Sequence, residues 1–159
     1  MRTKAKLAVA VGSIGASLLF ARVGASALDH NDGKSPAQDL SSTEIQMASP
    51  SQTILGQDFR YPVGVPLLKA FTIEIPAGKQ TSLHKHAVPM YVYLTAGELE
   101  VDYGSKGKRT FRAGSSYIEA IDWCHFGTAL GKEGVKLLAV YLGQRDPNQI
   151  QPEACSKLE

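Results

Sequence analysis

The sequence predicts an all-β domain, folded as an antiparallel sandwich or barrel. From about residue 53, short runs of alternating apolar and polar residues follow one another, and Gly, Pro and charged turns separate them. No convincing long amphipathic helix is found after the first 27 residues. Alternation turns one face of a strand toward a core, and many closely spaced strands favour a closed sheet without exposed edges.

Two runs show this alternation most clearly. Phe71, Ile73 and Ile75 alternate with polar residues before a Pro-Ala-Gly turn, and a similar run covers residues 99–103. Further strands are predicted at 80–86, 90–95, 109–112, 116–120, 124–129 and 135–142.

The 159 residues, 43% apolar and 20% charged, suit one globular domain. Composition divides them into a secretory signal over 1–27, a flexible arm over 28–52, a β-barrel over 53–143 and a polar tail over 144–159. His30 lies in the arm beside acidic residues, where a solvated histidine is expected.

Residues 1–27 have the three parts of an export signal: basic MRTKAK, apolar LAVAVGSIGASLLF and small residues up to Ala27. The apolar stretch is shorter than the roughly 20 residues that span a bilayer. We therefore expect cleavage after Ala27, or alternatively after Ala25, and no stable membrane anchor afterwards.

The charge balance argues against nucleic acid as a partner. Four of the 17 basic residues lie in the predicted signal, so the remaining 13 face 15 acidic residues. No basic stripe is left to follow a phosphate backbone.

Two cysteines, Cys124 and Cys155, would reach an oxidising compartment after export. They could form a disulfide, or Cys124 could pack as a small buried group while a mobile tail carries Cys155. We favour the unbridged form.

Three histidines are the strongest candidates for a metal site. His84 and His86 lie two residues apart in a predicted strand, so their side chains point to the same face. His125, on another predicted strand, would supply a third imidazole. Three imidazoles hold catalytic zinc in some enzymes, with a position left open.

These histidines carry a resemblance to a known family. Gly78, five residues, His84-Lys85-His86 and, after ten more residues, Gly97 resemble the first cupin motif. Gly114, ten residues and His125 resemble the second. The resemblance covers roughly residues 58–143 and extends to small exported bacterial cupins. It implies a single antiparallel cupin β-barrel of the jelly-roll type, location in the periplasm or outside the cell, and a homodimer.

The departures from the motifs concern the metal site. Met90 stands in the glutamate position of the first motif, and Ala120, Asp122 and Ala129 replace proline, glycine and asparagine in the second. Three neutral imidazoles would leave the full +2 charge on one divalent ion, which should attract a small anionic ligand. Such donors suit Fe, Zn, Cu or Ni better than Mg or Ca, and Mn is a further candidate.

Side chains near the histidines are expected to line the cavity. Met90 shares the strand parity of His84 and His86, and with Val92 is expected to form a wall. Trp123 and Phe126 flank His125, where they either help to dry the cavity or pack in an ordinary core. Tyr91 and Tyr93 have the opposite parity and are expected to face outward.

A general base is harder to place. Glu119 and Asp122 are the candidates, and we expect both to be solvated surface carboxylates. Lys85 should point away from the two histidines.

Two classes of function follow. The first is a metal-dependent enzyme, with a dioxygenase-type oxidoreductase favoured over an isomerase or lyase. The second is a non-catalytic module that binds metal and a small ligand such as a sugar acid. A base positioned beside the metal would favour an enzyme, since the fold alone does not decide.

Overall fold

The structure, a computed structural model, describes residues 41–145 and 150–159. The predicted signal, His30 and most of the predicted arm lie outside the described residues. Ser42–Glu159 forms one compact unit. Its strands are β1 Pro66–Ile75, β2 His84–Lys85, β3 Met90–Ala96, β4 Glu98–Asp102, β5 Lys108–Arg112, β6 Ser116–Ile118, β7 Phe126–Leu130, β8 Val135–Gln144 and β9 Glu153–Ala154.

Four strands form the larger sheet, in the order β1-β8-β3-β6, and all three pairs are antiparallel. Burial alternates along β3 and β8 as the sequence pattern predicts. Met90, Val92 and Leu94 are buried, whereas Tyr91 and Tyr93 are only half-buried. One face of this sheet therefore forms a wall of the core.

A smaller antiparallel sheet, β5-β4-β7, supplies the other wall. Leu99, Val101, Phe111 and Ala129 belong to the same buried cluster as the inner residues of the larger sheet. The domain is thus built from antiparallel sheets around one core, and the predicted all-β fold class is confirmed.

The segment 80–86 is less regular than predicted. Only His84–Lys85 forms a strand. The preceding residues contact β7 through an isolated bridge, Gln80 to Thr128, and through backbone hydrogen bonds such as that from the Thr81 amide to the Gly127 carbonyl. The Thr81 hydroxyl accepts a hydrogen bond from the Gly127 amide. Side-chain bonds of this kind compete with a regular ladder, which explains the broken strand.

The C-terminal tail packs onto the domain. β9 pairs antiparallel with β2, placing Ala154 opposite His84, and Ile150 is 1% exposed. Cys124 and Cys155 form a disulfide, so the expectation of an unbridged Cys124 is wrong. The β2–β9 pairing, extended by the hydrogen bond from the Cys155 amide to the Leu83 carbonyl, brings the two cysteines together.

The described end of the predicted arm also contacts the domain. Met47 forms a parallel bridge with Ser116, whose hydroxyl donates to the Gln46 carbonyl. Within the ranges 41–145 and 150–159, no helix is long and apolar enough to cross a bilayer.

Candidate metal centre

Two neighbouring chain segments bring the three histidines together. The His84 amide donates to the His125 carbonyl, and the His125 amide donates to the His84 carbonyl, at 3.0 and 2.9 Å. His86 follows two residues later on the same side, and its carbonyl accepts from the Asp122 amide at 2.8 Å. This backbone pairing holds all three imidazoles on one wall of the core.

The imidazoles converge as metal ligands do. One ring nitrogen from each of His84, His86 and His125 lies within 4.8 Å of the others. Nδ1 of His84 is 2.7 Å from the Ser82 carbonyl, and Nδ1 of His125 is 2.8 Å from the Trp123 carbonyl. Since a carbonyl only accepts, both rings carry their proton on Nδ1. In the neutral form of each ring, Nε2 then has its lone pair free for a metal.

His86 is the most unusual of the three. Its side chain is 2% exposed, and neither ring nitrogen has a hydrogen-bond partner among the described residues. Burial, with smaller contributions from the neighbouring His84 and His125, lowers its pKa to about 2. Burial also lowers the pKa of His84. A buried polar group without a partner is costly, and a bound metal ion would satisfy the neutral ring.

Glu119 is not the solvated carboxylate that the sequence suggested. It is 3% exposed and lines the same cavity as the histidines. Its Oε1 accepts hydrogen bonds from the Tyr103 hydroxyl and the Ala120 amide, both at 2.7 Å. Its Oε2 lies 3.6 Å from Nε2 of His125. Protein donors thus hold a buried carboxylate beside the candidate metal ligands.

Two tyrosines complete the surroundings of Glu119. Burial raises the pKa of Tyr103 and of Tyr117 well above the usual value, and the charge of Glu119 and a hydrogen bond to it add to both shifts. Both hydroxyls therefore stay protonated as donors. The sequence signal for this arrangement is the shared parity of Tyr117 and Glu119 in a predicted strand.

The cavity between the sheets has a volume of about 70 Å³. The polar residues that line it are the three histidines, Glu119, Thr81, Tyr117 and Tyr141. The rest of its walls are apolar and include Met90 and Val92. Trp123 and Phe126 are not among the described residues that line it. Trp123 instead donates from Nε1 to the Tyr103 carbonyl at 2.9 Å, beside the core.

Asp122 and Lys85 lie on the outer side of the histidines. The Lys85 ammonium is 3.3 Å from Oδ1 of Asp122 and 3.4 Å from Oε2 of Glu153 on the C-terminal strand. Asp122 is largely exposed and has a positive φ of 50°. Both residues therefore lie outside the cavity, as expected.

No protein-family model and no curated protein matches the chain. Solved structures do match it. A cupin-like protein from Thermotoga maritima is 15% identical over 58% of this chain and 67% of its own, with a TM-score of 0.50. This domain has the cupin fold. At this identity the likeness establishes the cupin architecture and nothing about activity.

Other structures that match this cupin domain include two enzymes. An oxalate decarboxylase from Lactobacillus farciminis, in a formate complex, is 27% identical over 48% of this chain, with a TM-score of 0.43. The DMSP lyase DddQ from Ruegeria pomeroyi is 20% identical over 55%, with a TM-score of 0.46. The matches span 24% and 42% of those two chains.

Proposed function

We propose that this cupin domain is a metal-dependent enzyme that acts on a small molecule bound beside His84, His86 and His125. The unpartnered ring nitrogens of buried His86 carry the proposal, because a bound cation would satisfy an imidazole that the protein itself leaves without a partner. Three neutral imidazoles suit a divalent Fe, Zn, Cu or Ni ion, with Mn as a further candidate. Such an ion supplies Lewis acidity to a bound substrate.

The cavity limits the substrate to a few non-hydrogen atoms, or to one end of a longer molecule. About 70 Å³ corresponds to the space of a few water molecules. The carboxylate of Glu119 reduces the positive charge that the ligand meets, so the cavity suits a singly charged anion. We infer a small monoanionic substrate.

Glu119 favours isomerase or lyase chemistry over the dioxygenase chemistry suggested by the sequence. Such reactions need a base that takes a proton from the substrate, and Oε2 of Glu119 faces the space beside His125. Tyr103 holds the opposite oxygen, so the base is positioned before substrate binds. These contacts also favour an enzyme over a module that only binds a ligand.

The test compares turnover with and without oxygen. Metal-loaded protein is incubated with a panel of small hydroxy, keto and amino acids, and products are measured by NMR in air and under argon. We expect turnover under argon that Glu119→Gln abolishes and the matched exposed variant Asp122→Asn retains. Turnover that occurs only in air and consumes oxygen would instead indicate a dioxygenase. Metal binding without turnover in either atmosphere would favour the binding module.

We also propose that the protein is exported and acts as a homodimer. The disulfide supports export, since such bonds persist in oxidising compartments. Mass spectrometry of the mature protein should show an N-terminus after Ala27 or Ala25, and sedimentation should give twice the chain mass. An intact N-terminus or a monomer would contradict the corresponding proposal.

A further inference from the structure

Glu119 is the one carboxylate among the described residues that line the cavity. We propose that it determines specificity: the ligand at the metal centre must present a hydroxyl or amine donor to Oε2 of Glu119. This inference rests on the proposed metal centre and narrows its substrates to small acids that carry a neighbouring hydroxyl or amino group.

The hydrogen bonds of Glu119 leave room for such a donor. An ionised carboxylate has about four acceptor positions. The Tyr103 hydroxyl and the Ala120 amide both donate to Oε1. Oε2 lies on the cavity side, 3.6 Å from Nε2 of His125, and offers acceptor capacity to a group inside the cavity.

His125 does not take up this acceptor capacity. Its Nδ1 is 2.8 Å from the Trp123 carbonyl, which orients the ring, and its Nε2 is 3.6 Å from Oε2, beyond hydrogen-bond distance. Oε2 can therefore accept a hydrogen bond from another group inside the cavity. A metal ion on Nε2, with a ligand that donates to Oε2, satisfies both atoms.

The surroundings make this contact selective. Glu119 is 3% exposed, and Met90, Val92 and Leu137 are among the apolar walls. With little water to screen it, the carboxylate disfavours a ligand that brings only negative charge. A ligand with a hydroxyl beside its own carboxylate offsets this repulsion through a charge-assisted hydrogen bond.

Glycolate and acetate test the inference, because they have the same charge and only glycolate carries a hydroxyl. Both are titrated into cobalt(II)-loaded protein, and binding is followed by the visible absorption of the metal. We expect Glu119→Gln to lower the ratio of glycolate to acetate affinity about tenfold relative to the wild type, since it removes the charge that the hydroxyl meets. Asp122→Asn, an exposed carboxylate changed in the same way, should leave the ratio unaltered.

An unchanged ratio in Glu119→Gln would overturn the inference while leaving the metal centre intact. Wild-type protein that takes up no cobalt would overturn the metal centre itself. If Glu119→Gln does not fold, the wild type decides through methoxyacetate, which keeps the charge and the chelating oxygen of glycolate but lacks the donor. Wild-type protein should bind methoxyacetate at least tenfold more weakly than glycolate, and equal affinities would contradict the inference.

Discussion

Tyr103 is 0% exposed, and its hydroxyl donates a hydrogen bond to Glu119. Replacing Tyr103 therefore tests how much this bond to the buried carboxylate stabilises the fold. Tyr103→Phe keeps the ring but removes one donor to the carboxylate. We expect a loss of about 1.5–3 kcal/mol in the free energy of unfolding, since hydrogen bonds to charged groups are worth this much. Urea denaturation measures it, with Tyr93→Phe on the outer face of β3 as control. Equal stability of the two variants would show that the contact contributes nothing.

The lowered pKa of His86 determines how the stability of the metal-free protein changes with acid. Its pKa is about 2 in the folded chain and near 6.5 when unfolded, so between these values the unfolded state binds more protons. Stability is therefore fully present above pH 6.5 and falls on acidification, by about 1.4 kcal/mol per pH unit for this residue. Urea denaturation from pH 7 to 4.5 should show a shallower slope for His86→Gln, and parallel slopes would contradict this account.

Among single residues, the sequence predicts which histidines come together but not that Glu119 is buried. Strand parity joins His84 to His86, and motif spacing adds His125, so the sequence alone singles out all three candidate ligands. The buried Glu119 is held by a hydrogen bond from Tyr103, which lies 16 residues earlier and outside the strand that precedes Glu119. Nothing in the local pattern indicates that contact, and for this reason the sequence favours a solvated carboxylate.

The turn between β3 and β4 depends on Gly97. Its φ is +80°, and a Cβ there would collide with the Gly134 carbonyl oxygen. Gly97→Ala should therefore cost about 3 kcal/mol or more, from backbone strain and overpacking together. Gly114→Ala is the matched control, because its φ is also positive but no atom lies within 4 Å of the added Cβ. It should cost about 1–2 kcal/mol, and equal losses in the two variants would contradict the collision.

The disulfide fixes the C-terminal strand beside the candidate metal ligands. Cys124 precedes His125, and the Cys155 amide bonds to the residue before His84. Replacing both cysteines with serine should lower stability by about 3–4 kcal/mol for a separation of 31 residues. It should also weaken zinc binding, because β9 no longer supports β2. Calorimetry with and without zinc measures both effects, and a variant as stable as the wild type would argue against a structural bridge.

The alternation of apolar and polar residues predicts some strands correctly and others not. Alternation locates β3, β4 and β8 within a few residues because one face of each packs against the core. It extends the strand at 80–86 too far, since Gln80 and Thr81 use side chains to bond β7. The same reasoning predicts a loose tail over 144–159. The pairing of this segment is missed because a two-residue strand is too short to show alternation and a disulfide leaves no periodic pattern.

For the whole molecule, the cupin fold follows from sequence because two glycine-histidine motifs and an all-strand pattern agree. The chemistry does not follow, since it depends on which side chains meet inside the core. The three-histidine centre is supported by convergent nitrogens and an unpartnered His86, and we propose that Glu119 selects the ligand that approaches it. We therefore infer that this cupin domain binds a metal ion.

The most direct measurement is the metal content of purified protein after equilibration with zinc or cobalt and removal of free ion, determined by mass spectrometry. We predict about one ion per chain in the wild type and in Lys85→Ala, whose side chain lies outside the cavity, and almost none in His86→Ala. Wild-type protein without bound metal, or His86→Ala that retains a full equivalent, would contradict the account.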